Sequence, residues 1–154
     1  MRLELHNVAI GQRIKDLSLT VDDGKMMGIS GLEGSGKTTL LRAILGFIPV
    51  DEGHISIDGE LLTPLSAPYF RRYTAYVPQH LSLPDGYDKV PTDYLQLLKM
   101  AVLSGKPLLI ADEPPGPVSV ETQQEIDRLL AEAVERGMTV LAVNPQTTDN
   151  RILL

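Results

Sequence analysis

The pattern of apolar and polar positions along the chain predicts strands that alternate with helices. Residues 15–21 alternate between apolar and polar side chains, as in a strand with one buried face. Continuous apolar runs at residues 108–111 and 139–143 are typical of strands buried on both faces of a parallel sheet. Further strands are predicted at residues 2–8, 26–30, 54–57, 74–77 and 151–154.

Three segments between these strands predict helices. The first covers residues 38–45 and ends at Gly46. The second covers residues 92–103 with Thr92 as its N-cap, and the third is capped by Ser119. The apolar positions of the third helix follow helical spacing and are Ile126, Leu129, Leu130, Ala133 and Val134. Strands that alternate with helices predict an α/β fold with a mostly parallel sheet.

Length and composition restrict the class of protein. The chain has 154 residues, so we expect residues 1–154 to form one domain. Its net charge of −6 argues against a basic face that binds nucleic acid. It has no cysteine, which excludes disulfides, thiol catalysis and cysteine metal sites. No apolar stretch approaches the roughly 20 residues of a membrane helix, and we expect a cytoplasmic protein.

Residues 31–38 carry the pattern G-x-x-x-x-G-K-[ST] between a predicted strand and a predicted helix. Glycines let backbone N–H groups turn toward phosphates, and the helix N-terminus adds partial positive charge. We expect Lys37 to reach the β- and γ-phosphates and the Thr38 hydroxyl to bind Mg²⁺. The predicted nucleotide-binding residues are Gly31, Leu32, Glu33, Gly34, Ser35, Gly36, Lys37, Thr38 and Thr39.

A second candidate site follows the apolar run at residues 108–111. This strand would deliver Asp112 and Glu113 to the carboxyl edge of the sheet, where ligands bind in α/β folds. We predict that Asp112 holds the hydration shell of Mg²⁺. Glu113 is the predicted catalytic residue, placed to take a proton from an attacking water.

With these two motifs in place, the chain resembles the ATP-binding cassette (ABC) ATPase family. Residues 71–79 (R-R-Y-T-A-Y-V-P-Q) resemble its Q-loop, with Gln79 as the glutamine. The resemblance implies a P-loop NTPase core of RecA-like type, with a mostly parallel sheet plus an N-terminal antiparallel β part. It implies ATP and Mg²⁺ as ligands, with Thr38, Gln79 and Asp112 at the metal and Glu113 in catalysis.

The same resemblance implies partners, because ATP in this family lies between two subunits. One subunit supplies the phosphate loop and the other supplies a Leu-Ser-Gly-Gly-Gln signature. We therefore expect a second ABC ATPase subunit with an intact signature, a membrane-spanning transporter subunit, or both. Through such a partner the chain would be peripheral at the cytoplasmic membrane, and no nucleic acid partner is expected.

The chain departs from the family between Gln79 and Asp112. That interval is much shorter than in the family, and we expect residues 80–91 to form a short loop in place of the α-helical subdomain. The signature position, near residues 88–92, reads D-K-V-P-T. The L-S-G at residues 103–105 precedes the Asp112 strand directly, so we interpret it as the end of a helix.

Three other family positions differ. The D-loop aspartate position is Ser119, and no aromatic residue near residues 10–11 can stack on adenine. The position of the switch histidine is Pro145, with Asn144 and Gln146 as candidate neutral donors in its place. We therefore expect weakened Mg-nucleotide binding, poor discrimination among bases, and hydrolysis that is slow or depends on a partner.

Two alternatives remain at this stage. A non-hydrolysing nucleotide-binding module that regulates or assembles with another ATPase fits the missing signature, although such a module has no need of Glu113. A P-loop kinase for a small molecule would need a lid and an acceptor pocket, and the long match after the phosphate loop disfavours it.

Overall fold

The computed structural model describes residues 1–79, 93–145, 148 and 150–154. Its strands are β1 (Leu3–Ile10), β2 (Ile14–Val21), β3 (Met26–Ser30), β4 (Glu52–Ile57), β5 (Glu60–Leu61), β6 (Thr74–Val77), β7 (Leu108–Ala111), β8 (Thr139–Val143) and β9 (Arg151–Leu153). Its helices are α1 (Lys37–Ile44), α2 (Ala67–Arg72), α3 (Tyr94–Leu103) and α4 (Val120–Glu135). The mixed α/β architecture that the sequence predicts is confirmed.

The N-terminal part of the chain forms an antiparallel sheet with the strand order β2-β1-β4-β5. β1 lies between β2 and β4, so that Leu3 pairs with Val21 on one side and with Ile57 on the other. The turn between β1 and β2 is tied to the loop after α1, because the N–H of Gly11 donates to Asp51 Oδ2 at 2.7 Å. This sheet is the antiparallel β part expected from the family resemblance.

The second sheet contains five parallel strands in the order β6-β7-β8-β3-β9. Alternate residues of its central strands pack on opposite faces. In β7, Leu108 and Ile110 contact the core shared with α1 and the antiparallel sheet, whereas Leu109 packs with α3 and α4. Burial on both faces explains why this strand is continuously apolar.

The helix ends follow local capping chemistry. Ser119 caps α4 as predicted, and its Oγ accepts the N–H of Thr122 at 3.1 Å. The predicted cap of α3 was wrong, because Asp93 Oδ1 accepts the N–H of Leu95 at 3.2 Å, while Thr92 lies outside the described residues. Aspartate caps helices at least as well as threonine, so the N-cap lies one residue later than predicted and the helix begins at Tyr94.

Two short elements were not predicted from the sequence. β5 has two residues and α2 has six, too few to show a periodic pattern.

None of the helices in the described ranges combines the length and the apolarity that crossing a bilayer requires.

Candidate nucleotide site

The candidate site lies at the carboxyl ends of the parallel strands. β3 leads into loop residues 31–36, β6 is followed by Gln79, β7 by Asp112 and Glu113, and β8 by Asn144. Because β7, β8 and β3 are neighbours and run in the same direction, their carboxyl ends meet at one edge of the sheet. This is the edge at which ligands bind in open α/β sheets.

The loop before α1 closes around the ammonium group of Lys37. Its Nζ donates to the carbonyl oxygens of Gly31 at 2.6 Å and of Leu32 at 2.9 Å, and the residue is only 6% exposed. Gly36 has a φ of 103°, in the left-handed region that favours glycine. A Cβ on Gly31 would lie 2.6 Å from Ser35 Oγ. The tight loop therefore depends on glycine at these two positions.

A hydrogen bond joins the first turn of α1 to the end of β7. Thr38 Oγ1 donates to Asp112 Oδ2 at 2.9 Å, and the backbone N–H of Glu113 donates to Asp112 Oδ1 at 2.8 Å. Burial raises the pKa of the Asp112 carboxyl, and the negative charge of Glu113 adds to this. The two hydrogen bonds and the charge of Lys37 act in the opposite direction but do not outweigh burial.

Glu113 is held by a residue from the neighbouring strand end. Asn144 Nδ2 donates to Glu113 Oε2 at 2.9 Å, and Asn144 has a φ of 49°, which asparagine tolerates better than most residues. Pro145 instead packs on β3, where a Cβ on Gly28 would lie 2.8 Å from its Cγ. The structure thus brings Asn144 to Glu113, while Gln146 lies outside the described residues.

One cavity of about 610 Å³ joins these groups. Its lining includes every predicted site residue except Ser35 and Asp112. Asp112 is linked to it through Thr38, and the buried Ser35 Oγ has no hydrogen-bond partner in the described part of the chain. The volume is typical of a site for a small ligand.

Two residues at this site were missed by the sequence analysis. Tyr94, at the start of α3, donates its hydroxyl hydrogen to the carbonyl oxygen of Asp112, and burial raises the pKa of that phenol. Arg13, in the turn between β1 and β2, lines the cavity beside Gly36. Both contacts join segments far apart in the sequence, and no local pattern indicates them.

The protein oxygens at this edge fit Mg²⁺ that arrives with phosphates. Among the described residues, no group of three or more His, Cys, Asp or Glu side chains is arranged to hold a metal ion. Mg²⁺ is commonly bound by one or two protein ligands together with substrate phosphates. Thr38 Oγ1 and Asp112 Oδ2, 2.9 Å apart beside the phosphate loop, are hard oxygen donors of this kind.

Comparison with known sequences places these features in one family. The sequence profile described as "ABC transporter" matches residues 14–92, just over half of the chain. The manganese transport system ATP-binding protein MntB of Bacillus subtilis (strain 168) is 27% identical over 195 positions, which cover 92% of this chain and 76% of the relative. That alignment is longer than the 154 residues of this chain, so the relative contains positions with no counterpart here.

Other relatives are much longer than this chain. The glutathione/L-cysteine transport system ATP-binding/permease protein CydC of Bacillus subtilis (strain 168) is 24% identical over 92% of this chain, but the match covers only 33% of that protein. The match to MntB of Listeria innocua, 41% identical over 66 residues, covers 43% of this chain and 25% of that protein. The matched segments therefore span a third or less of these two relatives.

A solved structure shares the fold. The "Structure of ATP binding subunit of ABC transporter" superimposes with a TM-score of 0.78 and 21% sequence identity, covering 100% of this chain and 86% of that one. The profile match over just over half of the chain shows the family, and the shared fold agrees with it. The chain belongs to the ABC transporter family.

Proposed function

We propose that this chain is the ATP-binding subunit of a membrane transporter, and that it hydrolyses ATP slowly or only when a partner completes its site. The observation that carries the proposal is the single cavity that joins the phosphate loop to Gln79, Glu113 and Asn144. In this proposal the loop binds the phosphates, and the Glu113 carboxylate acts as the base in the same cavity.

The proposed role of the loop is to bind the triphosphate of ATP. An ammonium group has three donors, and Lys37 uses two of them on the carbonyls of Gly31 and Leu32. The third is left for a phosphate oxygen. The N-terminal N–H groups of α1 add further donors and the partial positive charge of the helix.

Thr38, Asp112 and Gln79 would hold Mg²⁺ together with the phosphates. When bound, Mg²⁺ neutralises part of the phosphate charge. The hydrogen bond between Thr38 and Asp112 already places both oxygens side by side. Gln79 lines the same cavity, after the end of β6.

Glu113 is the proposed general base for hydrolysis. Asn144 donates to Oε2 of its carboxylate, and the described residues place no hydrogen bond on Oε1. The amide of Asn144 would thus orient the carboxylate and leave one oxygen to accept a proton from water. Asn144 would act as a neutral hydrogen-bond donor, in the role that the switch histidine has in the family.

The proposed dependence on a partner follows from what the sequence lacks. We propose that residues 1–154 form one reduced nucleotide-binding domain, in which residues 80–91 replace the helical subdomain; these residues lie outside the described ranges. A missing transition-state donor costs about 10²–10³ in rate. A second ABC ATPase subunit would supply that donor from its own signature.

The names of the relatives suggest where the chain works. The relatives described above belong to transport systems for manganese and for glutathione or L-cysteine. We propose that this chain likewise serves a membrane-spanning subunit, and that it acts at the cytoplasmic face of the membrane. The choice of transported substrate would lie with that subunit.

Hydrolysis is tested by comparing the unmodified chain with Glu113→Gln, which removes the base but keeps the size of the side chain. Mg-ATP binding is measured by calorimetry, and phosphate release is followed in the same samples, alone and with an ABC ATPase subunit that has an intact signature. Glu60→Gln, at an exposed position of β5, is the matched control.

We expect both variants to bind Mg-ATP, with phosphate release lowered by about 10²–10⁴ in Glu113→Gln only. Equal release by the unmodified chain and Glu113→Gln, with and without the partner subunit, would favour the non-hydrolysing module. Release at the rate of intact ABC ATPases by the chain alone would contradict the proposed dependence on a partner.

A further inference from the structure

Tyr94 lies next to the candidate site without lining its cavity. It is buried at the start of α3, in the same apolar cluster as Leu98 and Ile126. Tyr94 lines a second cavity of about 230 Å³, which shares Glu113 and Asn144 with the larger one. It can therefore affect a ligand in the larger cavity only through the residues that it contacts.

The hydroxyl of Tyr94 holds one end of the peptide unit that joins Asp112 to Glu113. It donates to the carbonyl oxygen of Asp112. The N–H at the other end of this unit, from Glu113, donates to Asp112 Oδ1 at 2.8 Å. Because a peptide unit is planar, hydrogen bonds to both of its ends fix the rotation of the plane about the chain. The plane in turn sets the direction in which the Glu113 side chain leaves the backbone.

The Asp112 carbonyl depends on Tyr94 because the sheet ladder ends at this residue. The N–H of Asp112 still donates to the carbonyl oxygen of Val77 at 2.9 Å. Among the described residues, no backbone N–H donates to the Asp112 carbonyl in return. Asp112 is only 2% exposed, and a buried carbonyl left without a donor is costly. Without the hydroxyl, the peptide unit would therefore turn toward another donor.

We propose that Tyr94 is a positioning residue for Glu113, whose carboxylate it keeps directed at the cavity by holding the Asp112–Glu113 peptide unit. The inference rests on the proposed function, in which Glu113 is the general base. Asn144 Nδ2 donates to Glu113 Oε2 at 2.9 Å. The base is thus held at its tip by Asn144, after β8, and at its backbone by Tyr94, from α3.

The contact should affect the rate of hydrolysis and not the binding of nucleotide. A general base has to lie within hydrogen-bond reach of the proton that it takes, and a misplacement of about 1 Å can cost about 10²-fold in rate. Nucleotide binding depends instead on the phosphate loop and Lys37, whose hydrogen bonds do not involve Tyr94. Removing the hydroxyl should therefore lower kcat and leave KM unchanged.

The test compares the unmodified chain with Tyr94→Phe, which keeps the ring and removes the hydroxyl. Two further proteins carry 4-aminophenylalanine or 4-methylphenylalanine at position 94; both fill the space of tyrosine, but only the amine donates a hydrogen bond. Tyr76→Phe is the matched control, since Tyr76 is half-buried in β6 and its hydroxyl has no hydrogen-bond partner within the described ranges. In the ligand-free proteins, NMR measures the shifts of the Glu113 backbone N–H and the Asn144 side-chain amide. Phosphate release from Mg-ATP gives kcat and KM, alone and with an ABC ATPase subunit that has an intact signature.

We expect both NMR signals to shift in Tyr94→Phe and to return with 4-aminophenylalanine, whereas Tyr76→Phe leaves both in place. In the hydrolysis assay, Tyr94→Phe should lower kcat by about 10- to 100-fold at unchanged KM. The amine should recover most of this loss, and 4-methylphenylalanine should recover none of it, because it fills the space without a donor.

Signals that stay in place in Tyr94→Phe, or equal recovery with the methyl and amino side chains, would show that Tyr94 only fills space and would overturn the positioning role. A raised KM at unchanged kcat would overturn it as well. If phosphate release is lost in Glu113→Gln but is unchanged in Tyr94→Phe, the proposed function stands and only this inference fails. If the unmodified chain releases no phosphate, with or without the partner subunit, the proposed function fails and the positioning role fails with it.

Discussion

The hydrogen bond from Asn144 to Glu113 can be tested with two substitutions at one position. Asn144→Gly keeps a residue that tolerates the φ of 49° and removes the amide donor. Asn144→Asp keeps the size of the side chain but turns a carboxylate toward Glu113. We expect both to lower the free energy of unfolding, and the aspartate variant to lower it more.

The magnitudes follow from the geometry. A hydrogen bond to a charged group contributes about 1.5–3 kcal/mol, and half-burial of both side chains favours the lower end. With the added chain entropy of glycine, Asn144→Gly should lose about 2 kcal/mol. Two carboxylates about 4 Å apart repel by about 1 kcal/mol in water and about 4 kcal/mol at an effective dielectric constant of 20. Asn144→Asp should therefore lose about 3–5 kcal/mol at neutral pH.

Thermal unfolding followed by circular dichroism from pH 5 to 8 separates the two causes. In a chain of 154 residues, 1 kcal/mol corresponds to about 2–4 °C in Tm. Repulsion makes the folded aspartate variant bind a proton more tightly than the unfolded chain does. Its stability deficit must then grow as the pH rises, whereas the deficit of Asn144→Gly stays constant.

Asn7 offers a matched control, because it also has a positive φ, of 50°, and donates its amide to a carboxylate, Asp16 Oδ1, at 2.7 Å. That pair is exposed, so solvent screens the repulsion and Asn7→Asp should lower the Tm less than Asn144→Asp. Equal and pH-independent losses of Tm for the two Asn144 variants would refute the contact between the Asn144 and Glu113 side chains.

Three other substitutions test the electrostatics and the backbone of the site. Glu33→Gln removes a carboxylate from the cavity lining, so calorimetry should show Mg-ATP binding roughly 2- to 10-fold tighter, with a smaller gain at high salt. Burial raises the pKa of Asp112, so the folded chain loses stability as the pH rises above the ordinary pKa of aspartate and the buried carboxyl ionises. Asp112→Asn should therefore raise the Tm of the ligand-free chain at pH 7, and it should lessen the Mg²⁺ dependence of ATP binding. Gly36→Ala, at a φ of 103° and against Ile14, should lower the Tm and abolish ATP binding, and unchanged calorimetric binding would contradict the loop geometry.

The local parts of the site were predictable from the sequence. The phosphate loop is one continuous segment whose glycines and lysine act within eight residues, so spacing alone locates it. β7 is apolar along its whole length because both of its faces are buried, and this places Asp112 and Glu113 at the sheet edge. The alternation of strands and helices was sufficient to predict the parallel sheet.

Contacts between distant segments were not predictable in this way. Asn144 and Glu113 meet because β7 and β8 are neighbours in the sheet, and the sequence pattern gives strands but no strand order. Arg13 reaches the cavity only because the antiparallel sheet packs its turn on Gly36. Asn144 was one of two candidate donors predicted from the sequence, and the packing of Pro145 on β3 explains why position 144 faces Glu113.

The most direct test of the central proposal is calorimetric titration of the purified chain with Mg-ATP beside the Lys37→Ala variant. Lys37 is the ammonium group inside the loop, and its removal takes away the only cation buried there among the described residues. We predict saturable binding by the unmodified chain and no measurable binding by Lys37→Ala, with both proteins folded by circular dichroism. Equal binding by the two proteins, or none by the unmodified chain, would contradict a working nucleotide site at this loop.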